Sequence, residues 1–374
     1  MRLFNKFFYI ILTLIIFLII DYVVSSYLIN TSEKIYNKKK YGFYNLSKSY
    51  EGYEVFGTSV YKVFTEKNGF RSASNVDVDI KYNIMFLGDS AIYGMMKWED
   101  SLPGIFQKIS KINVLNGGVP SYSPTVYLNR YKEALKSELL NKNHILIIGL
   151  DISDVQDEAG YWMDPNYMNL YDVDHPINLA AFKKEEKKAN QTSDINTIKD
   201  WVITHLNTTT IVYRIVKFNI ISNNDYTKPL FYSSRSAFTW QDFNQLEKSE
   251  ATEGDNYTKG YLPLGVEGGI KKIKIKISEI NKLVHENNGN GIYLLIYPWP
   301  AQIHHEDKFK WSDYVNELCL EINCLGTVDL MTDLRNYAGA NDDWYTKFFL
   351  NGDIHLNKYA NKIFAEKIWR EIKN

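Results

Sequence analysis

The sequence predicts an α/β protein in which a parallel sheet is covered by helices on both faces. Short apolar runs without polar alternation are typical of parallel strands buried on both sides. Four such runs are YNIMFLG (82–88), NVLNGG (113–118), HILIIGLD (144–151) and GIYLLIYPW (291–299). Amphipathic stretches typical of helices lie between them, such as DSLPGIFQKISK and SPTVYLNRYKEALKSELL. This alternation of strand and helix predicts the α/β class.

The amino terminus predicts a membrane-targeting segment. Arg2 and Lys6 precede an uncharged run over residues 7–20, and apolar character resumes after Asp21. A helix of about 20 apolar residues can span the hydrocarbon core, and the positive flank favours a cytoplasmic amino terminus. Residues 1–30 are therefore predicted to be an anchor that leaves the rest of the chain outside the cytoplasm. A signal peptide cleaved near residues 23–25 is the alternative.

The remaining chain divides by composition. Residues 31–80 are rich in Lys, Tyr and Asn and predict a stalk followed by an irregular lead-in that packs over the domain edge, ahead of an α/β domain over 81–374. Between about 155 and 265 the strand signals become weak, which predicts an inserted cap. The α/β pattern then resumes with a long helix over 268–288 and ends with a helix that Asn357 can cap.

Composition narrows the possible partners and chemistry. With 43 basic and 44 acidic residues, the net charge of -1 makes nucleic acid an unlikely partner. The aromatic content of 15% suits stacking on sugar rings but also fills ordinary cores. Cys319 and Cys324 can form a disulfide or remain two buried thiols. Neither Cys has metal-ligand partners at the usual spacing.

The segment FLGDS (86–90) has a structural and a chemical interpretation. Gly88 can make a tight turn after a strand, and Asp89 or Ser90 can cap the next helix. Alternatively, Ser90 is a nucleophile at the carboxyl end of a parallel strand, where α/β proteins bind ligands. Among seven histidines, only His355 has a carboxylate two residues earlier on a loop, namely Asp353. This pair could supply the base and the group that orients it.

Four segments in order strengthen the chemical interpretation: FLGDS, NVLNGGVPSYS, IGLDISD and GDIHLN. They resemble the sequence blocks of the SGNH/GDSL hydrolase superfamily. NGFRS, YPWPAQI and GDIHLNKYANK are similar to membrane-anchored bacterial members. The resemblance covers about residues 68–158 and 265–374. It implies a flavodoxin-like three-layer α/β/α sandwich with a five-stranded parallel sheet and a cap inserted after the third strand.

The resemblance also implies residue roles. Ser90 would be the nucleophile, His355 the general base and then acid, and Asp353 the residue that orients His355. The backbone amides of Ser90 and Gly118 would contribute to the oxyanion hole. Independently, a glycine at 118 lets the backbone come close to a tetrahedral oxygen, although an ordinary Gly-Gly turn explains it as well. This mechanism requires no metal or organic cofactor.

Two departures from the family pattern affect the predicted site. The third block, Gly-x-Asn-Asp, supplies an oxyanion-hole Asn, whereas this chain has Leu150 followed by Asp151 and no Asn nearby. Loss of such a donor costs about a hundredfold or more in rate. Asn116, Ser153 or an amide of the DISD turn could replace it, and Asp151 could brace that turn. The Asp-x-His spacing also occurs in polysaccharide O-acetyltransferase relatives.

The sequence thus predicts an exported serine esterase that acts through an acyl-Ser90 intermediate. The expected substrate is an acyl ester, especially an acetyl ester, of a cell-envelope polysaccharide. Alternatives are a polysaccharide O-acetyltransferase with the same triad and a catalytically inactive glycan-binding or assembly protein. Trp162 and Trp299 are candidate sugar contacts, although such aromatic residues can instead pack the insertion onto the core.

Overall fold

The protein is described from a computed structural model. The structure describes these residues: 2–28, 35–38, 44–56, 59–74, 80–161, 205–216, 264–304, 310–350 and 353–373. Most of the predicted insertion, including Trp162, lies outside the described residues.

Among the residues that the structure describes, ten strands form two sheets. A small antiparallel sheet pairs β1 (Tyr36–Lys38) with β2 (Tyr44–Leu46). The main sheet contains β3 (Glu51–Phe56), β4 (Ser59–Thr65), β5 (Arg71–Ser72), β6 (Tyr82–Leu87), β7 (Val114–Asn116), β8 (Leu140–Leu150), β9 (Gly291–Ile296) and β10 (Gly326–Asp329). Its strand order is β10-β9-β8-β6-β7-β5-β4-β3.

Five neighbouring strands of this sheet, β7, β6, β8, β9 and β10, pair in parallel. Taken in chain order they lie as 2-1-3-4-5, which is the flavodoxin-like order that the resemblance implied. Their apolar runs face helices on both sides, and Phe86, Ile147 and Leu294 are fully buried. The predicted parallel core is confirmed.

The lead-in differs from its prediction as irregular structure. Strands β3, β4 and β5 extend the parallel core by three antiparallel strands. The side chains of β4 alternate, with Tyr61 and Val63 buried and their neighbours more exposed. This alternation is the period of a half-buried strand, and it is short enough to be missed among the surrounding polar residues.

Twelve α-helices are present among the described residues. They are α1 (Arg2–Leu28), α2 (Ser90–Tyr93), α3 (Leu102–Ser110), α4 (Pro124–Lys136), α5 (Ser153–Gln156), α6 (Asn207–Val216), α7 (Gly265–Glu286), α8 (Pro300–His304), α9 (Trp311–Ile322), α10 (Met331–Ala338), α11 (Trp344–Phe348) and α12 (Lys358–Lys373). A 3₁₀ turn covers Trp98–Asp100 and a π turn covers Asp157–Tyr161.

The helices form a layer on each face of the parallel core. Right-handed crossovers place α3 on one face and α4 on the other, because β7 and β8 lie on opposite sides of β6. Helix α12 packs on α3, whereas α7 packs on α4 and α9. The Asn357 side chain accepts bonds from the amides of Tyr359 and Ala360, which confirms the predicted cap of the last helix.

Two further features of the sequence are placed by the fold. Cys319 and Cys324 are joined by a disulfide at the end of α9, where Asn323 adopts a left-handed conformation. This decides between the bridge and the two free thiols. Within the described residues, only α1 is long and apolar enough to cross a membrane, with a mean hydropathy of 2.7 over Lys6–Ser26.

Candidate active site

The nucleophile candidate lies at the turn between β6 and α2. Gly88 leaves the strand where an added Cβ would collide with the Ile92 side chain. Asp89 caps α2, since its Oδ1 accepts the Ala91 amide at 2.8 Å. Ser90 is then the first helical residue, and its Oγ also lies 3.1 Å from Asp89 Oδ2. The structural and chemical interpretations of FLGDS are therefore compatible, because capping by Asp89 is what positions Ser90.

Ser90 meets a histidine from the far end of the chain. The Oγ of Ser90 lies 2.7 Å from Nε2 of His355, across a separation of 265 residues. Nδ1 of His355 hydrogen-bonds Oδ1 of Asp353, which also accepts the His355 amide at 2.9 Å. His355 and Asp353 are 8% and 4% exposed. The fold thus joins the three predicted residues into a connected Ser-His-Asp arrangement in which His355 can take the Ser90 proton.

The loop that carries Asp353 and His355 is held by its own surroundings. Tyr297, just beyond β9, accepts the Leu356 amide on its hydroxyl at 2.6 Å. Tyr345 of α11 donates its hydroxyl to the Asp353 carbonyl at 2.9 Å. These bonds come from residues on both sides of the loop, so the imidazole is oriented by the core as well as by Asp353.

Buried carboxylates control the proton equilibria of the site. Burial by itself lowers the pKa of His355. The charge and hydrogen bond of Asp353, with smaller contributions from Asp89 and Asp151, outweigh burial and raise that pKa above its usual value. Burial and then the charge of Asp151 raise the pKa of Asp89 to about 7. The site therefore favours the imidazolium that forms when Ser90 attacks.

The predicted oxyanion contribution of Gly118 requires a correction. Its amide donates to the Asn116 side-chain oxygen at 2.9 Å, instead of facing an open position. A glycine is needed at position 118 for a packing reason, because a Cβ there would collide with the backbone of Ile92 and Tyr93 in α2. The glycine thus allows close approach to the nucleophile's helix.

Asn116 is engaged as well, so it does not offer its amide to an oxyanion in this structure. Its Nδ2 donates to the Ile92 carbonyl at 3.1 Å and the Tyr93 carbonyl at 3.4 Å. These are the terminal carbonyls of the single-turn helix α2, which otherwise need partners. Asn116 therefore holds α2 in place.

Asp151 braces the turn after β8, as one of its predicted alternatives required. It lies two residues after Gly149, where the family pattern has its Asn. Its Oδ1 accepts the amide of Ser153 at 2.7 Å and the hydroxyl of Ser153 at 2.6 Å. Ser153 is thereby committed to the turn and not to an oxyanion. The nearby Asp154 carboxyl is buried and accepts the Tyr127 hydroxyl at 3.0 Å.

The antiparallel strands add residues that the sequence analysis did not single out. Arg71 of β5 is buried, and its guanidinium donates to the carbonyls of Tyr93, Gly94 and Met96. The same group lies 4.4 Å from the centre of the Tyr93 ring. Arg71 thus hydrogen-bonds the carbonyl groups at and just after the carboxyl end of α2, the helix that begins with Ser90. The only sequence signal was its place in NGFRS, one of the segments of the family resemblance.

Glu54 and Phe56 of β3 complete this support. Glu54 Oε2 accepts the hydroxyls of Tyr61 at 2.7 Å and Tyr93 at 2.8 Å. Phe56 places its ring edge-on to the His355 ring, with 5.2 Å between centroids. The extension therefore contacts both the nucleophile's helix and the base.

Of the two tryptophan candidates, the structure describes only Trp299, which is not brought to the site surface. Trp299 follows β9 and belongs to the hydrophobic core, with 4% of its surface exposed. Its amide donates to the Gln302 side chain at 3.0 Å. A sugar stacking on Trp299 would need the ring exposed, so the packing alternative describes this residue. Trp162 lies outside the described residues.

Several solved structures are similar to this chain. A mutant of the acetyl-xylooligosaccharide esterase Axe2 from Geobacillus Stearmophilus is 10% identical, with 80% of this chain and 97% of that chain covered and a TM-score of 0.38. A lipolytic protein of the G-D-S-L family from Desulfitobacterium hafniense is 12% identical, with coverages of 77% and 98% and a TM-score of 0.38. An α/β hydrolase enzyme from the metagenome of Lake Arreo is 9% identical, with coverages of 79% and 97% and a TM-score of 0.40. No family model and no curated protein matches the chain.

The class of the fold follows from this chain's own strand order and site. A parallel sheet in the order 2-1-3-4-5 carries the Gly-Asp-Ser turn after its first strand and the Asp-x-His loop before its last helix. This strand order is flavodoxin-like, and the Gly-Asp-Ser and Asp-x-His segments lie where the resemblance to SGNH/GDSL hydrolases implied.

Proposed function

We propose that the protein is an exported serine esterase that cleaves acyl esters, especially acetyl esters, of cell-envelope polysaccharide. The observation that carries the proposal is the 2.7 Å contact between Ser90 Oγ and His355 Nε2, with Asp353 on the other ring nitrogen. A serine becomes a strong nucleophile when an oriented imidazole accepts its proton.

The geometry supports a two-step acyl transfer. In the first step, His355 Nε2 takes the Ser90 hydroxyl proton as Oγ attacks the ester carbonyl. The imidazolium then gives that proton to the departing alkoxide, which leaves an acyl-Ser90 ester. In the second step, a water molecule attacks this ester and gives its proton to His355. The tetrahedral intermediate then expels Ser90 Oγ, which takes the proton back from His355 as the carboxylic acid leaves. Asp353 stays ionised and stabilises the imidazolium in both steps.

Two features support export and attachment to the membrane. Helix α1 has the length and hydropathy of a membrane span. The Cys319–Cys324 disulfide fits an oxidising compartment outside the cytoplasm. An enzyme held at the outer face of a membrane would meet acylated polysaccharide of the cell envelope, and the aromatic content of the chain suits sugar binding.

The first test is ester turnover by the detergent-solubilised full chain. With p-nitrophenyl acetate, Ser90→Ala and His355→Ala should both lower turnover to background. Ser278→Ala and His285→Ala change the same residue types at exposed positions of α7 and should keep full turnover. A fluorophosphonate should label wild type and the two controls but not Ser90→Ala.

Wild-type turnover that persists in Ser90→Ala would contradict the serine mechanism. A chain without turnover and without fluorophosphonate labelling would favour the inactive glycan-binding or assembly protein. Once turnover is established, release of acetate from acetylated polysaccharides identifies the natural ester.

Acyl transfer to a sugar hydroxyl remains the second candidate function. It is favoured by the Asp353-x-His355 spacing, which also occurs in polysaccharide O-acetyltransferase relatives. The test is partition of the acyl group. Adding oligosaccharide acceptors should yield acetylated sugar if transfer occurs, whereas acetate release unchanged by acceptors supports the esterase.

A further inference from the structure

Asp21 is a carboxylate within the apolar helix α1, and it is only 2% exposed. Its Oδ1 accepts the Thr208 amide at 3.0 Å and the Ser25 hydroxyl at 3.1 Å. Its Oδ2 accepts the amide and the hydroxyl of Thr209, at 2.8 and 2.6 Å. A carboxylate inside a membrane-targeting helix is costly unless it has such partners. Apart from Ser25 of α1 itself, the partners are Thr208 and Thr209 of the insertion, 187 and 188 residues further along the chain.

These contacts form a helix cap supplied by another segment. Helix α6 begins at Asn207, so Thr208 and Thr209 are its second and third residues, whose amides have no intrahelical acceptor. The preceding residue, Leu206, has no side-chain oxygen with which to cap the helix. Asp21 provides the missing acceptor and places its negative charge at the positive end of α6.

Neighbouring residues continue the contact between the two helices. The rings of Tyr22 and His205 are stacked with 6.1 Å between centroids and 10° between planes. Ser25 is buried beside Asp21. Therefore α1 and α6 meet through a polar cluster and not only through apolar side chains.

We infer that α1 is retained in the mature protein and that Asp21 ties it to α6, which lies at the surface of the lipid bilayer. Cleavage near residues 23–25 would remove the carboxylate that caps α6. If α1 is retained, the amino-terminal segment is the predicted anchor and not a cleaved signal peptide. The inference concerns the placement of the insertion, and it does not depend on which ester the site accepts.

The bilayer is the occupant that fits the exposed side of α6. Val212 and Tyr213 are 50% and 58% exposed, one helical turn from the capped end. They lie on a helix joined to α1, whose own apolar surface is exposed over Ile16, Ile19, Ile20 and Val23. A lipid bilayer that surrounds α1 also contacts the adjacent helix α6. Tyr, as at position 213, is typical of the interface between headgroups and acyl chains.

The first test measures the joint between α1 and α6. Full-length Asp21→Cys/Thr209→Cys should form a disulfide in membranes under mild oxidation with copper-phenanthroline, mapped by mass spectrometry. Val23→Cys/Thr209→Cys is the matched control, because Val23 points about 200° around the helix from Asp21. Intact mass should show residues 1–28 present. A protein that begins after residue 25, or equal crosslinking in both pairs, would overturn the inference.

A second measurement leaves Asp21 unchanged. Val212→Cys carries an environment-sensitive nitrobenzoxadiazole label on the full chain in phosphatidylcholine/phosphatidylglycerol vesicles. Its emission should shift to the blue and be quenched by doxyl-labelled lipid. Tyr359→Cys, also exposed on a helix, should show neither change. Emission from Val212→Cys typical of water and insensitive to doxyl lipid would exclude the bilayer as occupant. Ester turnover is read separately, so its loss would not alter either result.

Discussion

The parallel half of the main sheet, β6 to β10, and the antiparallel half, β3 to β5, contribute different residues to the candidate site. The parallel half carries Ser90 after β6, and the loop that carries Asp353 and His355 packs against it. The antiparallel half contributes Arg71, which satisfies the end of α2 from behind. It also contributes Phe56, whose ring covers His355. The proposed catalytic residues and the residues that position them therefore come from regions with different strand direction and different sequence signals.

The two halves also differ electrostatically. In the parallel half, the buried carboxyls of Asp89 and Asp151 interact unfavourably, and burial with this repulsion raises the pKa of Asp89. In the antiparallel half, Glu54 is buried but accepts two hydroxyls. Burial, followed by the charge of Glu54, raises the pKa of Tyr93 and Tyr61 well above the ordinary value, so both remain donors. The repulsion between carboxyls therefore lies beside the proposed nucleophile, whereas the buried carboxylate of the supporting half accepts two hydroxyls.

The largest expected effect is on the reacting side of this comparison. Asp353→Asn should lower kcat by about ten-thousandfold, because the imidazole loses its orientation and the charge that stabilises its protonated form. The melting temperature should change little, since an amide occupies nearly the same volume. Ester turnover and thermal unfolding measure the two quantities. Asp333→Asn, an exposed carboxylate on α10, is the control and should keep full turnover. A variant with near-normal kcat would remove Asp353 from the mechanism.

On the supporting side, Arg71→Met should mainly affect stability. It leaves three carbonyls near α2 without their charged donor, and such bonds contribute about 1.5–3 kcal/mol each. We expect the free energy of unfolding to fall by about 3 kcal/mol, with kcat reduced as the Ser90 turn loosens. Urea unfolding measures the loss. Lys62→Met, on the partly exposed β4, should change it much less, because the ion pair of Lys62 with Glu51 is exposed to solvent. Equal losses in the two variants would contradict the role of Arg71.

A pH series on Asp89→Asn tests the carboxyl pair of the reacting side. Asp89 raises the pKa of His355, so its neutralisation should move the acid limb of kcat/KM to lower pH. The pKa of Asp89 itself is raised to about 7, so the folded state favours its protonated form. Wild-type stability from this group therefore falls as pH rises from about 4 to about 7. Asp89→Asn should melt higher than wild type at pH 8 and nearly equally at pH 4.

Either an unchanged acid limb or a lower melting temperature at pH 8 would contradict that electrostatic assignment. The side-chain oxygen in Asp89→Asn can still accept the hydrogen bond from the Ala91 backbone amide. The cap of α2 is therefore the same in wild type and variant.

The smallest effect is expected from Glu54→Gln. The amide oxygen can still accept the Tyr61 and Tyr93 hydroxyls, but the bonds lose a charged acceptor. The free energy of unfolding should fall by about 1 kcal/mol, measured in urea, with kcat unchanged within about twofold. A loss as large as that of Arg71→Met would show that the charge of Glu54, and not only its acceptor geometry, holds the extension together.

Particular residues show how far sequence reasoning extends. The parallel strands were predictable because both of their faces are buried and their apolar runs are continuous. The pairing of Ser90 with His355 was predictable from block order and from the Asp-x-His spacing. The roles of Gly118 and Asn116 were not predictable, because the sequence of a Gly-Gly turn does not indicate which acceptor its backbone amide hydrogen-bonds. Arg71 was missed because its partners are backbone carbonyls, which no side-chain pattern reveals.

By itself, the sequence determined the α/β class, the apolar amino-terminal helix and the identity of Ser90, Asp353 and His355. Local periodicity and short motifs encode these features. Tertiary structure alone decided that the lead-in extends the sheet, that Cys319 and Cys324 are joined, and that Gly118 donates to Asn116. It also decided that Asp21 caps a helix far along the chain. Each of these depends on which distant backbone atoms meet, and the free energy of such contacts exists only once the core has packed.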